Sequence, residues 1–335
     1  MLQWILNKRP KHQVKESHFK LVECDRPEVS KNEFLVRTLY LGVAPVMLRY
    51  MKNETSFEKP LNIGDVMIGR GVGEVIESRD PDIKVGEIIH GKLGWREYSI
   101  LKNEPYYMIH QMKKTELSPS LGLSTLGLSG FTALIGAQTI SNIQPGDNVL
   151  VSGAAGGVGS QVAFIAKALG AKKVVGIAGG SEKCSIIKND LSYDQAIDYK
   201  NDLVPEKLDD FFKDGIDVYF DNVGGEILDH VLERINRRAR IAICGRMSEY
   251  LKDPKDYHHY KNIYRIGLTD SKMEGFFVYD FVKEYHKYED QLVGMIRDGK
   301  IIPREDILEG FEKMPEALIS LYEHRNIGVR MVKVF

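Results

Sequence analysis

The segment that most constrains the fold lies mid-chain, where an apolar run leads directly into a glycine-rich turn and a helical pattern. Residues 147–171 read DNVLVSGAAGGVGSQVAFIAKALGA. Glycines at such a turn allow a tight strand-to-helix connection and close approach to a pyrophosphate, and the helix N-terminus offers N–H groups to the anion. The segment predicts a dinucleotide site; the alternative is a purely structural turn. Ala154 replaces the first glycine of G-x-G-x-x-G, which a slightly wider turn would accommodate.

Strand and helical patterns alternate from residue 147 to about 280. Amphipathic stretches such as 160–171 and 224–237 separate apolar runs. This alternation predicts an α/β fold, a doubly wound parallel sheet of the Rossmann type with helices on both faces. The predicted strands are Asn148–Ser152, Lys173–Ile177, Gln195–Asp198, Gly215–Asp221, Ala239–Cys244 and Met273–Val278.

The remainder of the chain predicts a second, discontinuous domain. Its first third is rich in β-branched and aromatic runs with glycine punctuation, which favours a partly closed β-barrel. The apolar, small-residue stretch 119–140 predicts a closely packed helix, and further helices are expected near 283–298 and 314–324. The last strand, 329–335, resembles the N-terminal region and is expected to return to it. The predicted domains are 1–125 with 300–335, and 126–299.

The end of the second predicted strand indicates which dinucleotide is bound. An NAD site usually places an Asp or Glu there to accept from the ribose 2′-OH. This chain has Ala178-Gly179-Gly180-Ser181, followed by Glu182 and Lys183. Ser181 and Lys183 could donate to a 2′-phosphate, while Glu182, near a helix N-terminus, could point to solvent. NADP(H) is therefore predicted; the alternative for Lys183 is an ordinary surface lysine.

The charge and the apolar runs of the chain bear on whether it binds nucleic acid or membranes. Lys and Arg total 46 against 47 Asp and Glu, giving a formal net charge of −1, so bulk attraction to nucleic acid or an anionic membrane is not expected. No apolar run approaches the length of a membrane span, and the start, MLQWILNKRPKHQ, lacks the apolar core of a secretory signal. We expect a cytoplasmic protein without nucleic-acid or membrane partners.

A metal centre is not expected either. Cys24, Cys184 and Cys244 are too few and too scattered for a four-thiolate zinc site. A catalytic zinc needs a thiolate, a His and a further ligand around an open position. In the segment IGRGVGE (68–74), Arg70 stands where the ligand His would be. The sequence therefore predicts metal-independent chemistry.

Several motifs together resemble one family along nearly the whole chain. They are VSGAAGGVGS at 151, GIAGGSEKC at 176, GIDVYFDNVGGEILD at 215, CGRMSEY at 244, KMEGFF at 272 and REDILEGFEKMPEALISLYE at 304. The chain resembles the zinc-independent medium-chain dehydrogenases/reductases of the leukotriene B4 12-hydroxydehydrogenase, prostaglandin reductase and 2-alkenal (curcumin) reductase group. That resemblance implies a GroES-like barrel joined to a Rossmann domain, commonly as a homodimer. It implies NADPH-dependent reduction of the C=C bond of α,β-unsaturated ketones and aldehydes.

Site residues follow from the matching positions. Lys183 and Tyr199 match residues at the 2′-phosphate, Asn326 matches an asparagine near the nicotinamide, and Tyr250 matches the tyrosine of G-x-x-S-x-Y that approaches the substrate carbonyl. Tyr250 is the predicted catalytic residue. The predicted cofactor contacts are Ala155, Gly156, Gly157, Val158, Gly159, Gly180, Ser181, Lys183, Tyr199, Asn222, Cys244, Gly245, Tyr250, Phe276 and Asn326. The predicted substrate contacts are Pro45, Met47, Tyr250, Tyr257 and Tyr260.

The chain also departs from the family. Residues 44–48 read Ala-Pro-Val-Met-Leu where the group usually has Asp-Pro-Tyr-Met-Arg, and 130–134 read Gly-Phe-Thr-Ala-Leu where it usually has G-x-T-A-Y. Both changes make the pocket less polar, so the natural substrate is open. The segment 256–265 (DYHHYKNIYR) is either a lid or dimer contact over the substrate, or a solvated loop. Cys244 is expected to be a packing residue rather than a nucleophile.

Three functions remain open at this point. The preferred one is a double-bond reductase in which hydride reaches the β-carbon of an enone or enal. The alternatives are an NADPH quinone reductase on the same fold and an NADPH-binding protein without turnover. Tyr250 separates them, because a double-bond reductase needs a hydrogen-bond donor at the carbonyl and a binder needs only the glycine turn and Lys183.

Overall fold

The return of the last strand to the N-terminal region divides the chain into two units. The computed structural model describes residues 1–54 and 58–335. One unit comprises 1–127 with 305–335, and the other comprises 128–304. The unit boundaries fall at 127/128 and 304/305, where the sequence had suggested 125/126 and 299/300. No helix in the described ranges has the length and apolar character needed to cross a membrane.

The strands of the described residues are numbered in chain order. They are β1 (Leu2–Leu6), β2 (Phe19–Glu23), β3 (Phe34–Gly42), β4 (Arg70–Ser78), β5 (Ile88–Lys92), β6 (Tyr98–Leu101), β7 (His110–Gln111), β8 (Asn148–Ser152), β9 (Lys173–Ala178), β10 (Gln195–Asp198), β11 (Ile216–Asp221), β12 (Ile235–Ile243), β13 (Lys272–Gly275), β14 (Glu305–Glu309) and β15 (Val329–Lys333).

The α-helices are numbered in the same way. They are α1 (Met47–Lys52), α2 (Leu128–Ile135), α3 (Gly159–Ala168), α4 (Ser181–Asn189), α5 (Val204–Phe211), α6 (Gly225–Leu232), α7 (Arg265–Leu268), α8 (Tyr285–Arg297) and α9 (Met314–Tyr322). Short 3₁₀ helices include Pro119–Leu123, Met247–Glu249 and Val278–Glu284, and a π-helical turn spans Gly136–Ile140.

The second unit contains the predicted parallel sheet. Its strand order is β10-β9-β8-β11-β12-β13, and every pairing is parallel. All five residues of β8 are buried, as expected for a central strand with both faces covered. The order reverses between β8 and β11, so the carboxyl ends of these two strands form the topological switch point where open α/β sheets bind ligands.

Several boundaries in this part of the chain differ from the predicted ones, most by one residue and three by more. The helical pattern 224–237 ends early, because α6 stops at Leu232 and β12 already begins at Ile235, which pairs with Ile216 of β11. The strand predicted to reach Val278 ends at Gly275, and a 3₁₀ helix begins at Val278. The helix predicted over 119–140 is broken into a 3₁₀ helix, α2 and a π-helical turn.

The first unit is built around a mixed sheet. Its order is β14-β15-β3-β4-β5-β7, with β6 also paired to β3, and only β14 and β15 run parallel. The last strand is antiparallel to β3, with Met331 opposite Gly42. The core beneath includes Trp95, Phe34 and Leu48. The separate pair β1–β2 completes this β-rich unit.

Candidate active site

The carboxyl ends of the six parallel strands carry most of the predicted site. Because these ends meet at one edge of the sheet, residues distant in sequence share that edge. They are the turn 153–159 after β8, Gly180, Ser181 and Lys183 after β9, Tyr199 after β10, Asn222 after β11, Cys244, Gly245 and Tyr250 after β12, and Phe276 after β13. The predicted residues Pro45, Met47 and Asn326 belong to the first unit.

The first turn, residues 153–159, joins β8 to α3 and depends on glycine for steric reasons. Gly153 has φ +61°, and its carbonyl accepts from the Gly156 N–H at 2.9 Å. A Cβ on Gly159 would overlap the Gly153 carbonyl oxygen and lie 2.9 Å from the Cα of Ala154. The helix therefore starts directly against the end of the strand, an arrangement that places a helix N-terminus at the crevice where an anion is favoured.

Ala154, which replaces the first glycine of the pattern, fits because the neighbouring strand carries a glycine opposite its methyl group. Ala154 is fully buried, and its N–H donates to the Ile177 carbonyl of β9 at 3.0 Å. A Cβ on Gly176 of β9 would lie only 2.7 Å from the Ala154 Cβ. The methyl group missing at Gly176 thus leaves space for the one gained at Ala154.

The second turn, residues 179–181, joins β9 to α4. Gly180 has φ +97° and is the N-cap of α4. A Cβ on Gly179 would lie 2.7 Å from the Tyr199 ring, so this ring covers the backbone of Gly179. Burial raises the pKa of Tyr199, with Asp198 adding to the rise. The phenol therefore stays a hydrogen-bond donor at neutral pH.

The charged residues after the second turn have the exposure expected for a phosphate site. Ser181 and Glu182 are exposed, while Lys183 is half-buried in the first turn of α4. The strand itself ends in Ala178, without the carboxylate that usually accepts from a ribose 2′-OH. Positive charge and hydroxyl donors at a helix start, with no acid ending the strand, suit a 2′-phosphate.

Asp198, which the sequence reading did not single out, lies buried behind the second turn. Its Oδ1 accepts from the Gly180 N–H at 2.7 Å and from the Lys200 N–H at 3.1 Å. Its Oδ2 accepts from the side chain of Asn201 at 2.7 Å. Burial alone would raise the pKa of Asp198, but these donors outweigh it and hold the pKa below its ordinary value. The only signal in the sequence is an Asp ending a predicted strand.

The switch point between β8 and β11 is organised by Ser152 and Asn222. The Asn222 N–H donates to Ser152 Oγ at 3.0 Å, and its side-chain amide donates to the Ser152 carbonyl at 2.8 Å. Asn222 is therefore held beside the first turn, with its Cβ 3.2 Å from where a Cβ on Gly153 would lie. Sequence reasoning found Asn222 but missed Ser152.

Asp221 is the buried acid beneath this switch point. Its Oδ1 accepts from Ser152 Oγ, the Tyr219 hydroxyl and the N–H groups of Val223 and Gly224, at 2.8–2.9 Å. Its Oδ2 is buried and has no hydrogen-bond partner among the described residues. Burial raises the pKa of Asp221. Asp221 thus fixes the loop after β11 from below.

The loop after β12 carries Tyr250 and is bonded to the loop after β11. The N–H groups of Met247 and Ser248 donate to the carbonyls of Asn222 and Val223, and Ser248 Oγ donates to Val223 at 2.7 Å. Tyr250 follows as the half-buried C-cap of the 3₁₀ helix. Backbone pairing therefore holds the predicted catalytic tyrosine to the loop at the switch point.

Cys244 and Gly245 begin this loop. Both backbone N–H groups donate to the Asp221 carbonyl, at 2.8 and 3.1 Å. Burial raises the pKa of the Cys244 thiol to about 12, with Asp221 adding to the rise. A thiol with so high a pKa is a poor nucleophile at neutral pH, which agrees with the packing role expected for Cys244.

The segment 256–265 is anchored to α6 by several contacts. The Tyr260 hydroxyl accepts from the Gly225 N–H at 3.0 Å, and His258 Nε2 lies 3.1 Å from Asp229 Oδ2. Asp229 also accepts from the backbone at 261 and 262. Tyr257 lies under the Arg246 guanidinium, 5.1 Å from ring centroid to Cζ. The segment is therefore anchored to α6, while several of its residues, among them Ile263 and Tyr264, stay exposed. These contacts do not separate a lid or dimer contact from a solvated loop whose rings pack on the surface.

The first unit holds the remaining predicted residues. The Pro45 carbonyl accepts from the Tyr322 hydroxyl at 2.9 Å. Met47 begins α1 and is buried in the core of this unit. Asn326 donates to the Gly328 carbonyl at 3.0 Å, just before β15.

Arg70, which stands at the expected zinc-ligand position, begins β4. Its guanidinium donates to the Met108 carbonyl at 3.2 Å and lies 3.3 Å from His90 Nδ1. Burial lowers the pKa of His90 well below its ordinary value, and Arg70 lowers it further. The position at which a catalytic zinc site would need a ligand His is thus occupied by the Arg70 cation, which would repel a metal ion.

Known proteins resemble the chain along its length. A family described as the N-terminal domain of oxidoreductase matches residues 2–109, and one described as zinc-binding dehydrogenase matches residues 157–294. A 2-alkenal reductase (NADP(+)-dependent) of Nicotiana tabacum is 37% identical over 328 residues, covering 97% of this chain and 94% of that protein. The NADPH-dependent curcumin reductase of Escherichia coli (strain K12) is 33% identical, covering 99% and 96%.

A solved structure extends the similarity to three dimensions. The crystal structure of CurA in complex with NADPH from Vibrio vulnificus aligns with a TM-score of 0.91 at 33% identity. The alignment covers 100% of this chain and 99% of that one. The likeness therefore includes both units and every strand end described above.

Proposed function

The chain belongs to the zinc-independent medium-chain reductases of the prostaglandin, 2-alkenal and curcumin reductase group, and on that premise we propose that it is an NADP-dependent oxidoreductase that reduces the C=C bond of α,β-unsaturated ketones and aldehydes. The observation that carries the proposal is the second turn, with Lys183 in the first turn of α4 and no acid ending β9. The names of the relatives, which are reductases of alkenals, curcumin, pulegone and prostaglandins, support the substrate class.

The cofactor site that we propose is the carboxyl edge of the parallel sheet. The first turn would hold the pyrophosphate, the second turn with Lys183 and Tyr199 the 2′-phosphate, and the loops after β11 to β13 the nicotinamide half. Asn326 of the first unit would contribute near the nicotinamide. Bound NADPH would supply the hydride that reaches the β-carbon of the substrate.

Tyr250 is the proposed hydrogen-bond donor to the substrate carbonyl. Addition of hydride at the β-carbon moves negative charge onto the carbonyl oxygen, and a fixed donor at that atom stabilises the resulting enolate. Tyr250 lies two residues beyond Ser248, on a loop whose residues 247 and 248 are hydrogen-bonded to the loop at the switch point, which supports a preorganised position for the donor. The proton added at the α-carbon would come from water.

The decisive experiment combines Tyr250→Phe with NADPH carrying deuterium at C4. We expect deuterium at the β-carbon of the product and a fall of about 10²-fold in enone turnover for the variant, with NADPH affinity little changed. Tyr264→Phe, at an exposed tyrosine outside the proposed contacts, serves as the control. Wild-type enone turnover in Tyr250→Phe would rule out the tyrosine, and label at the carbonyl carbon would mean carbonyl reduction instead.

The same assay separates the other two candidate functions. A quinone reductase would consume NADPH with quinones and leave enones untouched, and Tyr250→Phe would not change its rate. A binding protein would bind NADPH tightly and consume it with neither class. A panel of short enals, long-chain enones and quinones therefore distinguishes all three.

The substrate pocket is proposed to be less polar than in related enzymes. Its proposed contacts are Pro45, Met47, Tyr250, Tyr257 and Tyr260. Val46 and Leu48 stand where the group usually has Tyr and Arg, and Leu134 replaces another Tyr. Loss of these polar groups favours extended apolar enones over polar ones by at most about 10²-fold, because a hydroxyl buried without a hydrogen-bond partner costs free energy. Comparing kcat/KM for a long alkyl enone and its terminal hydroxyl analogue tests this.

Assembly and location complete the proposal. We propose a cytoplasmic homodimer that acts on small molecules and binds neither nucleic acid nor membrane. The formal charge of −1 gives no bulk attraction to polyanions, and the family resemblance supports the dimer. Light scattering at micromolar concentration should give twice the 38.0 kDa chain mass; a monomer would contradict it.

A further inference from the structure

We propose that Asp198 is a positioning residue that sets the choice of NADPH over NADH by holding the second turn open for the 2′-phosphate. The inference rests on the proposed function, since it concerns the same cofactor. Asp198 comes from β10, one strand beyond the strand whose end forms the turn. It acts through the turn backbone and is not expected to touch the cofactor.

The first step of the argument is the bond to Gly180. This glycine has φ +97°, which glycine adopts without strain, and its N–H donates to Asp198 Oδ1 at 2.7 Å. A Cβ on Gly180 would meet no atom within 4 Å, so steric exclusion at this position does not fix the turn. Gly180 is bonded instead to the buried carboxylate through its N–H and to the Cys184 N–H of α4 through its carbonyl, at 3.1 Å.

The second step is that this carboxylate is fully engaged. Asp198 is 8% exposed, and its oxygens accept from Gly180, Lys200 and Asn201. Its own N–H donates to Asp202 Oδ2 at 2.8 Å. A carboxylate occupied in this way has little capacity left to accept from a ribose 2′-OH, which is the role of the acid in an NAD site.

The third step links Asp198 to Tyr199 and the start of α4. The Tyr199 N–H donates to the Ala178 carbonyl at 3.1 Å, and the ring covers Gly179. Asp198 therefore holds Gly180 by a hydrogen bond, while the ring of the next residue, Tyr199, covers Gly179. Because Ser181 and Lys183 lie in the first turn of the helix that follows these glycines, the orientation of both donors depends on these two contacts.

The experiment measures binding of 2′,5′-ADP and of 5′-AMP by calorimetry to the full chain, which needs no substrate. Wild type should prefer 2′,5′-ADP by at least about tenfold, because the phosphate contact is charge-assisted. Asp198→Ala should lower that preference by about tenfold and raise the KM for NADPH while kcat at saturation changes little. Asp198→Asn keeps an acceptor oxygen for Gly180 and should stay within about threefold of wild type.

A matched control stands at the opposite end of the same strand pair. Asp194 Oδ2 accepts from the Val174 N–H at the start of β9, at 2.7 Å. Asp194→Ala should also lower the melting temperature, yet it should leave the 2′,5′-ADP preference unchanged. A purely structural role for Asp198 predicts the same outcome for both variants, which would overturn the proposal.

A second variant covers the case in which Asp198→Ala does not fold. Gly180→Ala leaves Asp198 intact but strains the positive φ, and it should likewise reduce the 2′,5′-ADP preference more than 5′-AMP affinity. An unchanged preference in a folded Gly180→Ala would overturn the proposal. If wild type itself does not prefer 2′,5′-ADP, the proposed NADP-dependent function fails. If wild type prefers it and the folded variants keep the same preference, this inference alone fails.

Discussion

The two glycine turns at the carboxyl edge of the sheet are held by different means. In the first turn, Gly159 and Gly153 are in such close contact that a Cβ on Gly159 would overlap a carbonyl oxygen. In the second turn, the Tyr199 ring covers Gly179, but a Cβ on Gly180 would meet open space, and a carboxylate from another strand accepts from the Gly180 N–H. The first turn is specified by small residues within it, whereas the second also depends on a residue 18 positions away from Gly180.

This difference explains which parts of the site are robust to change. A methyl group added at Gly159 would meet backbone atoms, whereas one added at Gly180 would meet open space and would strain only the positive φ. The second turn therefore depends more than the first on its hydrogen-bond acceptor. The pyrophosphate is common to NAD and NADP, and the 2′-phosphate is not. In the proposed site, the part of cofactor recognition that distinguishes NADP from NAD would lie in the second turn, which Asp198 contacts.

The largest effect is expected from Gly159→Ala in the first turn. The new methyl group would overlap the Gly153 carbonyl, so strand and helix must separate, at a cost of about 3 kcal/mol of unfolding free energy. NADPH affinity should fall more than about a hundredfold. Urea unfolding and calorimetry measure both quantities.

Gly294→Ala is the control for that substitution. Gly294 lies inside α8, where a Cβ would meet no atom within 4 Å. It should be neutral or stabilising by up to about 1 kcal/mol. Equal behaviour of the two variants would show that the first turn is not sterically fixed.

The next effect is expected from Lys183→Ala in the second turn. Loss of a charge-assisted contact worth about 1.5–3 kcal/mol should raise the KM for NADPH by about ten- to a hundredfold and leave NADH use almost unchanged. Steady-state kinetics with both cofactors measure this. Lys188→Ala, at the exposed end of the same helix, is the control. Equal losses with NADPH and NADH would mean that Lys183 does not contact the phosphate.

A smaller effect tests the pairing of Ala154 with Gly176. Gly176→Ala should destabilise the fold by about 1–3 kcal/mol, because its methyl would lie 2.7 Å from the Ala154 Cβ and 2.8 Å from Ile187 Cδ1. Adding Ala154→Gly should recover about 0.5–1 kcal/mol of that loss. Urea unfolding of the four proteins gives the coupling. Simple additivity would refute the idea that one glycine compensates for the other.

The last prediction is that removal of metal ions has no effect on activity. Prolonged chelation should leave enone reduction unchanged, because Arg70 stands where a zinc ligand would be. In the proposed site the two turns bind the cofactor and Tyr250 donates to the substrate carbonyl, so no role is left for a metal ion. Elemental analysis should find no stoichiometric zinc. One zinc per chain, lost together with activity, would place the chemistry at a centre that neither turn serves.

Much of the fold was predictable because it follows from local patterns. The strands β8 and β10 begin and end at the predicted residues, since each is a short segment with apolar residues at its centre, in the expected strand–helix alternation. β12 was predicted to begin at Ala239, yet it begins at Ile235, because pairing with Ile216 of β11 extends it into a pattern that reads as helix. Where tertiary pairing opposed local pattern, the pairing decided.

The sequence by itself determined the fold class, the family and the first turn, because apolar periodicity and glycine spacing act between residues that are neighbours in the chain. It also indicated the residues that follow each strand, since parallel strands must end at one edge. Only the tertiary structure decided that Asp198 holds Gly180, that Gly176 makes room for Ala154 and that Asp221 supports the switch point. Most of these contacts join residues that lie on, or directly after, different strands, and their geometry depends on sheet register and burial, which no local pattern specifies.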